Sequence, residues 1–319
     1  MPENKSYTPD EVAQILKVSR FTIYEMIKRG ELPAFHVGRK VRVEQQDLER
    51  YKQRSKGGGF VSLQSVGGSI QNAAPAVTPE TMIICGQEPV LDILTRHLEQ
   101  QFPQLNFLRK YVGSMAGLLA LYQGSANLAT AHLWDSDSDD YNLPYIRRLL
   151  PGHPTCVYNL VYRMAGFYVG KGNPKSIHSW QDLARPDLRL VNREHGSGAR
   201  VLLDEQLYRH RLDRNQIAGY EHMVTSHLEV ASVVARGAAD VGVGIEKAAS
   251  QVPEIEFIPL KRERYDLVIR KEDLILPHFQ AVLDLLQSPN FRTEIKGIGG
   301  YDISQMGQLL SQPKSTKKA

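Results

Sequence analysis

The chain has 319 residues, of which 42% are hydrophobic and 23% are charged, and its formal net charge is +4. This length is too great for one compact core and predicts two or three folded units of ordinary globular composition. No run approaches the roughly eighteen apolar residues of a membrane span, and the first residues lack the pattern of a signal peptide, so we expect a cytoplasmic protein without a membrane partner. The only cysteines, Cys85 and Cys156, are too few for a disulfide framework or a cysteine zinc site.

The first fifty residues contain the pattern of two short helices around a tight turn. Thr8 is the expected N-cap of the first helix, with Pro9 as its first helical residue and Glu11 as the reciprocal capping partner. After a turn at Lys17–Ser19, the second helix is predicted over Arg20–Arg29, with one apolar and one polar, basic face. Such a pair is a helix-turn-helix, whose second helix suits a major groove. The residues predicted to face DNA from this region are Ser19, Arg20, Thr22, Tyr24 and Lys28.

A small two-stranded wing is predicted next, with strands at Ala34–Val37 and Val41–Val43, and a third helix ends at Tyr51. The wing would place Arg39, Lys40 and Arg42 close together, where cations contact a phosphate backbone. This order of elements, with the strings Thr8–Ala13 and Gly30–Arg39, closely resembles the excisionase/MerR-type winged-helix family. The resemblance implies an operator in double-stranded DNA as a partner. The alternative is a small winged helix that binds protein.

We divide the chain by composition into four parts. Residues 1–55 form the predicted winged helix-turn-helix domain, and residues 56–80 are a Gly-rich, nearly uncharged stretch that predicts a flexible linker. Residues 81–310 form the large domain, and residues 311–319, rich in Lys, Ser and Pro, predict a disordered tail.

The large domain alternates strand-like and helix-like runs, which predicts a parallel sheet with helices on both faces. Two runs, Ala165–Pro174 and Ile255–Ile269, are predicted to cross between two such α/β units. The fold class is therefore an α/β two-lobed clamp, with lobe 1 at about 81–165 and 257–310 and lobe 2 at about 166–256. Binding sites in such sheets lie at the carboxyl ends of strands.

Five strings in the large domain resemble the type II periplasmic-binding-protein fold, close to its molybdate/tungstate-binding branch: Gly113–Leu121, Ala129–Asp135, Lys171–Pro174, Asn192–Arg200 and Gly237–Gly242. The whole chain is similar to one-component bacterial regulators that join such a receptor domain to a DNA-binding head. Transport receptors of this fold are exported, so the missing signal peptide implies that this protein senses its effector inside the cell.

Two Gly-Ser motifs at predicted helix starts, Gly113-Ser114 in lobe 1 and Gly196-Ser197-Gly198 in lobe 2, offer free backbone N–H groups and a hydroxyl. A closed clamp would present them face to face as two anion sites, with Arg193 and Arg200 beside the second. Bare helix ends favour a fully ionised oxyanion, because they supply donors without acceptors. The alternative is that these glycines only make tight turns.

Other side chains join the predicted ligand site. Tyr265 lies on the returning strand and Ser226 precedes a helix, whereas His132 and Trp134 follow a lobe 1 strand. Trp134 favours a larger, organic ligand. The alternative for His132 and Tyr265 is that each packs in the protein interior instead of contacting the ligand. The full predicted set is Gln87, Glu88, Ser114, Met115, His132, Trp134, Arg193, Ser197, Gly198, Ala199, Arg200, Ser226 and Tyr265.

Catalysis and metal binding find no support in the sequence. His222 and His227 are not at the spacing that places two ligands on one helical face, and no nucleophile motif with suitable partners occurs. We therefore expect a transcriptional regulator without catalytic, metal or cofactor sites.

The expected effector of this regulator is molybdate or tungstate. The alternative effector is a molybdenum-cofactor-like or other organic anion. We also expect a homodimer, because one short winged helix buries too little surface for tight operator binding.

Overall fold

A computed structural model describes residues 6–16, 20, 23, 26–27, 32–37, 40–45, 47–48 and 81–312. The chain divides into two units at residues 70 and 71, and each is described by itself. None of the helices in these ranges is long and apolar enough to cross a membrane.

The small unit contains helix α1 (Pro9–Leu16) and a three-stranded sheet of β1 (Ser6–Tyr7), β2 (Phe35–Val37) and β3 (Lys40–Glu44), in the order β1-β3-β2. The predicted capping box is confirmed: the Thr8 N–H donates to Glu11 Oε2 at 2.7 Å, and the Glu11 N–H donates to Thr8 Oγ1 at 3.3 Å. Strand β1 was not predicted; it pairs antiparallel with β3.

The hydrophobic core of this unit joins residues that the sequence assigned to separate elements. Val12 of α1 is buried together with Val43 of β3. Ile23 and Met26 lie at described helical positions and are buried in the same cluster. The predicted apolar face of the second helix therefore does pack inward.

The large unit is built on one mixed sheet. Within residues 81–312 the strand order is β11-β10-β12-β9-β13-β6-β4-β5, with β14 added to β9. The strands are β4 (Thr81–Cys85), β5 (Asn106–Lys110), β6 (Leu128–Ala131), β9 (Thr155–Gly170), β10 (Leu190–Arg193), β11 (Met223–Val224), β12 (Val241–Ile245), β13 (Ile255–Arg270) and β14 (Leu309–Ser311). A separate hairpin pairs β7 (Trp134–Asp135) with β8 (Asp140–Tyr141).

Helices cover both faces of this sheet. They are α2 (Pro89–Gln101), α3 (Ser114–Tyr122), α4 (Leu143–Leu149), α5 (Gly198–Arg209), α6 (His227–Ala235), α7 (Glu246–Ala249), α8 (Pro277–Gln287) and α9 (Pro289–Ile298). In lobe 1, one apolar cluster lies under α2, α8 and α9, and a second lies under α3 and α4. In lobe 2, one face of the sheet is covered by α5, and the other face is covered by α6 and α7. This arrangement agrees with the predicted two-lobed α/β class.

The prediction of a parallel sheet is wrong for the two longest strands, which run antiparallel to each other. Strands β9 and β13 pair along almost their whole length, from Ile255 opposite Gly170 to Arg270 opposite Thr155. Parallel pairs remain within each lobe, β5-β4-β6 in lobe 1 and β11-β10-β12 in lobe 2. The antiparallel ribbon joins the lobes; the apolar, aromatic and β-branched composition of β9 suits a central, largely buried strand, whereas β13 carries several charged residues and is partly exposed in its first half.

The β7–β8 hairpin is contributed by the lobe 1 part of the chain but packs with lobe 2. Trp134 is fully buried in one cluster with Tyr141, Phe167, Trp180 and Leu202. The Nζ atom of Lys261 lies 4.4 Å from the centre of the Trp134 ring, where a cation is attracted to an aromatic face.

Candidate ligand-binding cleft

A cavity of about 400 Å³ lies where the two crossing strands pass between the lobes. This volume falls within the range typical of sites for small organic molecules. Lobe 1 contributes the β4–α2 connection and a residue after β6, lobe 2 contributes the starts of α6 and α7, and the crossing strands form the floor. The lining residues are Gln87, Glu88, Pro89, Tyr111, His132, Arg163, Thr225, Ser226, His227, Leu228, Ile245, Lys247, Ala248, Gln251, Tyr265 and Tyr301.

A buried ion cluster centred on Arg163 forms the floor of the cavity. The Arg163 guanidinium contacts Glu263 at 2.6 Å and also forms an ion pair with Glu88. His132 Nδ1 lies 2.9 Å from the second oxygen of Glu263. These groups come from β9, from β13 and from the ends of two lobe 1 strands, so the cluster fixes the crossing strands against lobe 1.

The cluster keeps Glu263 charged although its side chain is buried. Burial alone would raise the pKa of this carboxyl, but the charges and hydrogen bonds of Arg163 and His132 outweigh burial and lower the pKa to about 2. Because Arg163 is shared between two carboxylates, its charge is already neutralised, and it offers little free positive charge to a ligand.

Aromatic rings form one wall above this floor. The Tyr265 hydroxyl bonds Thr130 Oγ1 at 2.8 Å, and the Arg163 guanidinium lies 4.6 Å from the centre of the Tyr265 ring. The His132 ring centre lies 5.0 Å from that of Tyr265, and the Tyr301 hydroxyl donates to Glu88. The rings are thus held by their polar ends; Tyr265 is buried with Arg163 and His132 against it, and Lys247 Nζ lies 5.2 Å from the centre of the Tyr301 ring.

The start of α6 forms the lobe 2 side of the cavity. Ser226 is its N-cap, and its Oγ accepts from the Glu229 N–H at 3.1 Å. His227 is the first helical residue; its Nδ1 is buried and has no hydrogen-bond partner among the described residues. Burial, with the nearby charges of Arg193, Arg163 and His132, holds the pKa of His227 well below its ordinary value. This imidazole is therefore neutral at pH 7.

The two Gly-Ser motifs are found at helix starts, as predicted, but they contact each other directly. The Met115 N–H donates to the Gly196 carbonyl oxygen at 3.0 Å. A Cβ atom on Gly113 would lie 3.0 Å from Ser197 Cα, so the space between these chain segments is filled. The hydroxyls are also engaged: Ser114 Oγ accepts from the His132 N–H at 3.2 Å, and Ser197 Oγ accepts from the Arg200 N–H at 3.3 Å.

Apart from two arginines, the structure divides the predicted ligand residues into three groups. The residues that line the cavity are Gln87, Glu88, His132, Ser226 and Tyr265. Ser114, Met115, Ser197 and Gly198 lie at the contact between the lobes. Trp134 and Ala199 lie in the hydrophobic cluster of lobe 2.

The two predicted arginines of lobe 2 are buried and do not line the cavity. Arg193 donates to Gln87 Oε1 at 2.8 Å and to the Thr225 carbonyl at 2.9 Å, and it pairs with Glu194. Arg200 lies with its guanidinium 4.1 Å from the centre of the Tyr220 ring. Arg193 thereby supports the segment that leads into α6.

Sequence reasoning missed several lining residues, above all Arg163, Lys247 and Tyr301. One signal was present for Arg163, because it is the single charged residue in the long apolar run of β9. A charge at such a position needs a buried partner. Its partners, Glu88 and Glu263, lie 75 and 100 positions away in sequence, so the pattern alone does not identify them.

The described part of the small unit places only some of the predicted DNA contacts. Arg20 is exposed and its Nε lies 3.3 Å from Asp10 Oδ1. Lys40 begins β3, and Arg42 lies on the same strand opposite Phe35. Ser19, Thr22, Tyr24, Lys28 and Arg39 lie outside the described residues.

Comparisons with known proteins agree with this two-part construction. The family described as "Helix-turn-helix domain" matches residues 6–56, and the family described as "PBP superfamily domain" matches residues 95–287. The Bacillus subtilis (strain 168) protein YvgK is 42% identical over 310 residues, which is 97% of this chain and 99% of YvgK. The thiosulfate-binding protein of Escherichia coli (strain K12) is 57% identical over 30 residues, only 9% of each chain.

Among solved structures, EhuB in complex with hydroxyectoine aligns with a TM-score of 0.52 and 15% identity, over 72% of this chain and 92% of EhuB. This identity supports the fold alone. The helix-turn-helix and binding-protein parts of the expected resemblance are confirmed, and both matched families are of binding types rather than enzymes. The protein belongs to the PBP superfamily domain family, in a form that carries an N-terminal helix-turn-helix domain.

Proposed function

We propose that the protein is a transcriptional regulator that binds operator DNA through residues 1–55 and a small effector through residues 81–310. The observation that carries this proposal is the cavity of about 400 Å³ lined by both lobes, in a chain that also has a helix-turn-helix. A ligand that contacts both lobes binds the closed arrangement better than an open one and so shifts the domain toward closure.

The cavity favours an organic effector over a bare oxyanion. Its volume of about 400 Å³ is in the range of sites for small organic ligands. Tetrahedral oxyanions such as molybdate have only five heavy atoms and would leave most of that space unfilled. Pro89, Leu228 and Ile245, which line the cavity together with Tyr301, suit the body of an organic molecule.

Molybdate or tungstate is the second candidate, at the paired Gly-Ser helix starts. One observation favours it: a thiosulfate-binding protein, which by its name binds an oxyanion, matches a short segment of this chain. This candidate requires the lobes to separate by the width of the anion at that contact. Ser114→Ala and Ser197→Ala should then weaken oxyanion binding.

Calorimetry on the full chain distinguishes the two candidates. Molybdate, tungstate, sulfate and phosphate are titrated beside a panel of small organic acids. Tight binding of an inorganic oxyanion that is lost in the two serine variants supports the second candidate. Binding of an organic acid that both serine variants retain supports the cavity.

DNA binding by the head is tested by replacing Arg39, Lys40 and Arg42 together with alanine. Loss of binding to all DNA sequences, with effector binding retained, is the expected result, because these cations are proposed to contact phosphates. Unchanged DNA binding would favour a head that recognises protein.

We further propose a homodimer in which the receptor domains make most of the contact. A single helix-turn-helix buries too little surface for tight specific binding, and operators commonly mirror a protein two-fold axis. A monomeric mass at micromolar concentration, with and without operator DNA, would contradict this proposal.

A further inference from the structure

A five-residue 3₁₀ turn, Lys271–Ile275, joins β13 to α8 and ends in a protruding apolar side chain. Ile275 is 84% exposed, the largest exposure of any large apolar side chain among the described residues. The residue before it, Leu274, packs against the core of lobe 1. The residue after it, Leu276, is the N-cap of α8 and is also exposed. The core of lobe 1 therefore does not account for an isoleucine at this position.

The apolar surface continues from this turn to the end of α2. Phe102 follows α2 and is half-buried, and its ring meets the ring of His278 edge to face with the two centres 6.4 Å apart. His278 lies in the first turn of α8, two residues after Leu276. Single apolar side chains on a surface are common, whereas contiguous ones mark sites of interaction.

A groove of about 340 Å³ lies at the other end of the same turn. The Lys271 N–H donates to the Pro154 carbonyl oxygen at 2.8 Å, so the start of the turn is fixed against the segment that precedes β9. Ile275 and the groove are therefore the two ends of one short element, and they belong to one surface of lobe 1. The residues that line the groove are His153, Pro154, Arg270, Lys271 and Glu272.

This surface lies at the edge of the sheet where the chain enters the large unit. Thr81 begins β4 and pairs with Asn106 of β5, and the turn from Phe102 to Leu105 leads into β5. Strand β13 is antiparallel to β6, which is parallel to β4, so β13 ends at the edge where β4 begins. The ligand cavity is at the opposite edge, where Gln87 follows β4.

We propose that this surface of lobe 1 is the contact between two copies of the chain. The two copies are related by a two-fold axis, and Ile275 of each copy packs into the groove of the other. The inference rests on the homodimer of the proposed function and adds to it the surface through which the dimer forms.

The make-up of the surface fits a second copy of this chain. A two-fold contact uses the same surface on both copies, so that surface must contain both a protrusion and the groove that receives it. Ile275 and the groove meet this requirement. Lys271 and Glu272 are adjacent exposed residues of opposite charge, so a two-fold copy can place unlike charges together at the rim. Exposed pairs of this kind contribute little to affinity, and the apolar contact supplies most of it.

The point of chain entry gives a second reason for this arrangement. A dimer formed through this surface brings the two Thr81 residues to the same side of the assembly, near the contact. If residues 56–80 are the Gly-rich linker that their composition predicts, each linker has an end-to-end distance of about 25–30 Å. Two such linkers from neighbouring points let two heads reach half-sites that are about 34–36 Å apart.

Ile275→Asp tests the contact by analytical ultracentrifugation of the full chain. We expect the dissociation constant of the dimer to rise at least about 100-fold, because each dimer loses two buried isoleucine side chains. Tyr208→Asp is the matched control, since Tyr208 is 74% exposed on α5 of lobe 2, and it should leave the dissociation constant unchanged. Thermal melting of both variants verifies that they are folded.

Thiol labelling gives a second measurement that does not depend on breaking the dimer. Ile275→Cys should react more slowly with a thiol reagent as the protein concentration is raised through the dissociation constant. Tyr208→Cys should react at one rate at all concentrations. Cys85 and Cys156 are buried and are present in every variant, so the parent provides the background rate.

Three results would overturn the assignment of this surface. They are an Ile275→Asp variant that is as dimeric as the parent, a Tyr208→Asp variant that dissociates equally, and an Ile275→Cys labelling rate that is independent of concentration. Slow labelling of Ile275→Cys in a monomer would mean that the chain itself covers the surface. A parent that is monomeric contradicts the proposed homodimer itself, whereas a dimeric parent with a dimeric Ile275→Asp variant contradicts only this surface.

Discussion

Gly198 and His132 lie so close that a Cβ atom on the glycine would be 2.3 Å from both Cε1 and Nδ1 of the imidazole. Gly198 is the first residue of α5 in lobe 2, and His132 follows β6 in lobe 1. The φ of Gly198 is not in the left-handed region, so its backbone conformation does not require a glycine. The close contact between the lobes does require one. Gly113, the N-cap of α3 in lobe 1, likewise leaves room for Ser197 of lobe 2.

Gly198→Ala should consequently weaken the closed arrangement. The added methyl group must displace His132 from Glu263 or separate the lobes, and overpacking of this kind costs about 1–3 kcal/mol. Urea unfolding and small-angle scattering of the variant should show lower stability and a larger radius of gyration.

Gly297→Ala is the control for this prediction. Gly297 lies in α9, and an added Cβ would meet nothing within 4 Å. Replacing an exposed helical glycine by alanine typically stabilises by about 0.5–1 kcal/mol. Equal stability of the two alanine variants would show that the contact between Gly198 and His132 is not tight in solution.

Glu263→Gln should cost more stability at neutral pH than at acid pH. The pKa of this carboxyl is lowered to about 2 in the folded chain from an ordinary value of 4.5. Its contribution is therefore fully present above about pH 4.5 and is lost as the pH falls toward 2; the shift corresponds to about 3 kcal/mol. The difference in unfolding free energy between parent and variant should be about 3 kcal/mol at pH 6 and about half of that at pH 3.

Glu272→Gln provides the comparison, because Glu272 is exposed and forms only a 3.7 Å pair with Arg270. Its effect should stay within about 0.5 kcal/mol at both pH values. A Glu263→Gln variant whose stability loss does not depend on pH would mean that the buried cluster does not hold this carboxyl ionised.

His227 should remain neutral in the ligand-free protein at pH 6, because burial and the surrounding positive charges lower its pKa well below the ordinary value of 6.5. Carbon–proton NMR spectra of the imidazole Cε1 groups, recorded from pH 8 to pH 5, follow the titration. The resonance that disappears in His227→Phe identifies the residue. A midpoint at or above 6.5 would show that the ring is open to solvent or faces a carboxylate.

Arg42→Ala should weaken binding to all DNA sequences alike. If Arg42 contacts one phosphate, the plot of log affinity against log salt concentration should lose about one unit of slope. Lys296→Ala, an exposed cation of the large unit, should leave the slope unchanged. A change in sequence preference without a change in slope would place Arg42 on a base.

Local patterns in the sequence predicted the helices and most strands, because the interactions that define them are also local. The capping box at Thr8 and Glu11 joins residues three positions apart and was found as predicted. Strand direction depends on partners far away in the chain, and the repeated strand–helix units hid the antiparallel ribbon of β9 and β13. The hydrophobic periodicity of a strand does not show which distant strand it will pair with.

The candidate site was predictable only in part for the same reason. Gln87, Glu88 and His132 were found because they follow lobe 1 strands at the edge where such sheets bind ligands. Arg163 lies in the middle of a strand, and its role follows from Glu88 and Glu263, which no local pattern connects to it. The Gly-Ser motifs do mark helix starts, but their sequence does not show that the two starts pack against each other.

The position of Trp134 has a consequence for how the large unit folds. This ring belongs to a hairpin of the lobe 1 part of the chain, yet it is fully buried among Phe167, Trp180 and Leu202 of lobe 2. A fragment restricted to the lobe 2 sequence would lack Trp134 and Tyr141 and would expose the apolar surface that they cover. The two lobes are therefore not autonomous folding units, and residues 81–312 should melt in a single cooperative transition rather than lobe by lobe.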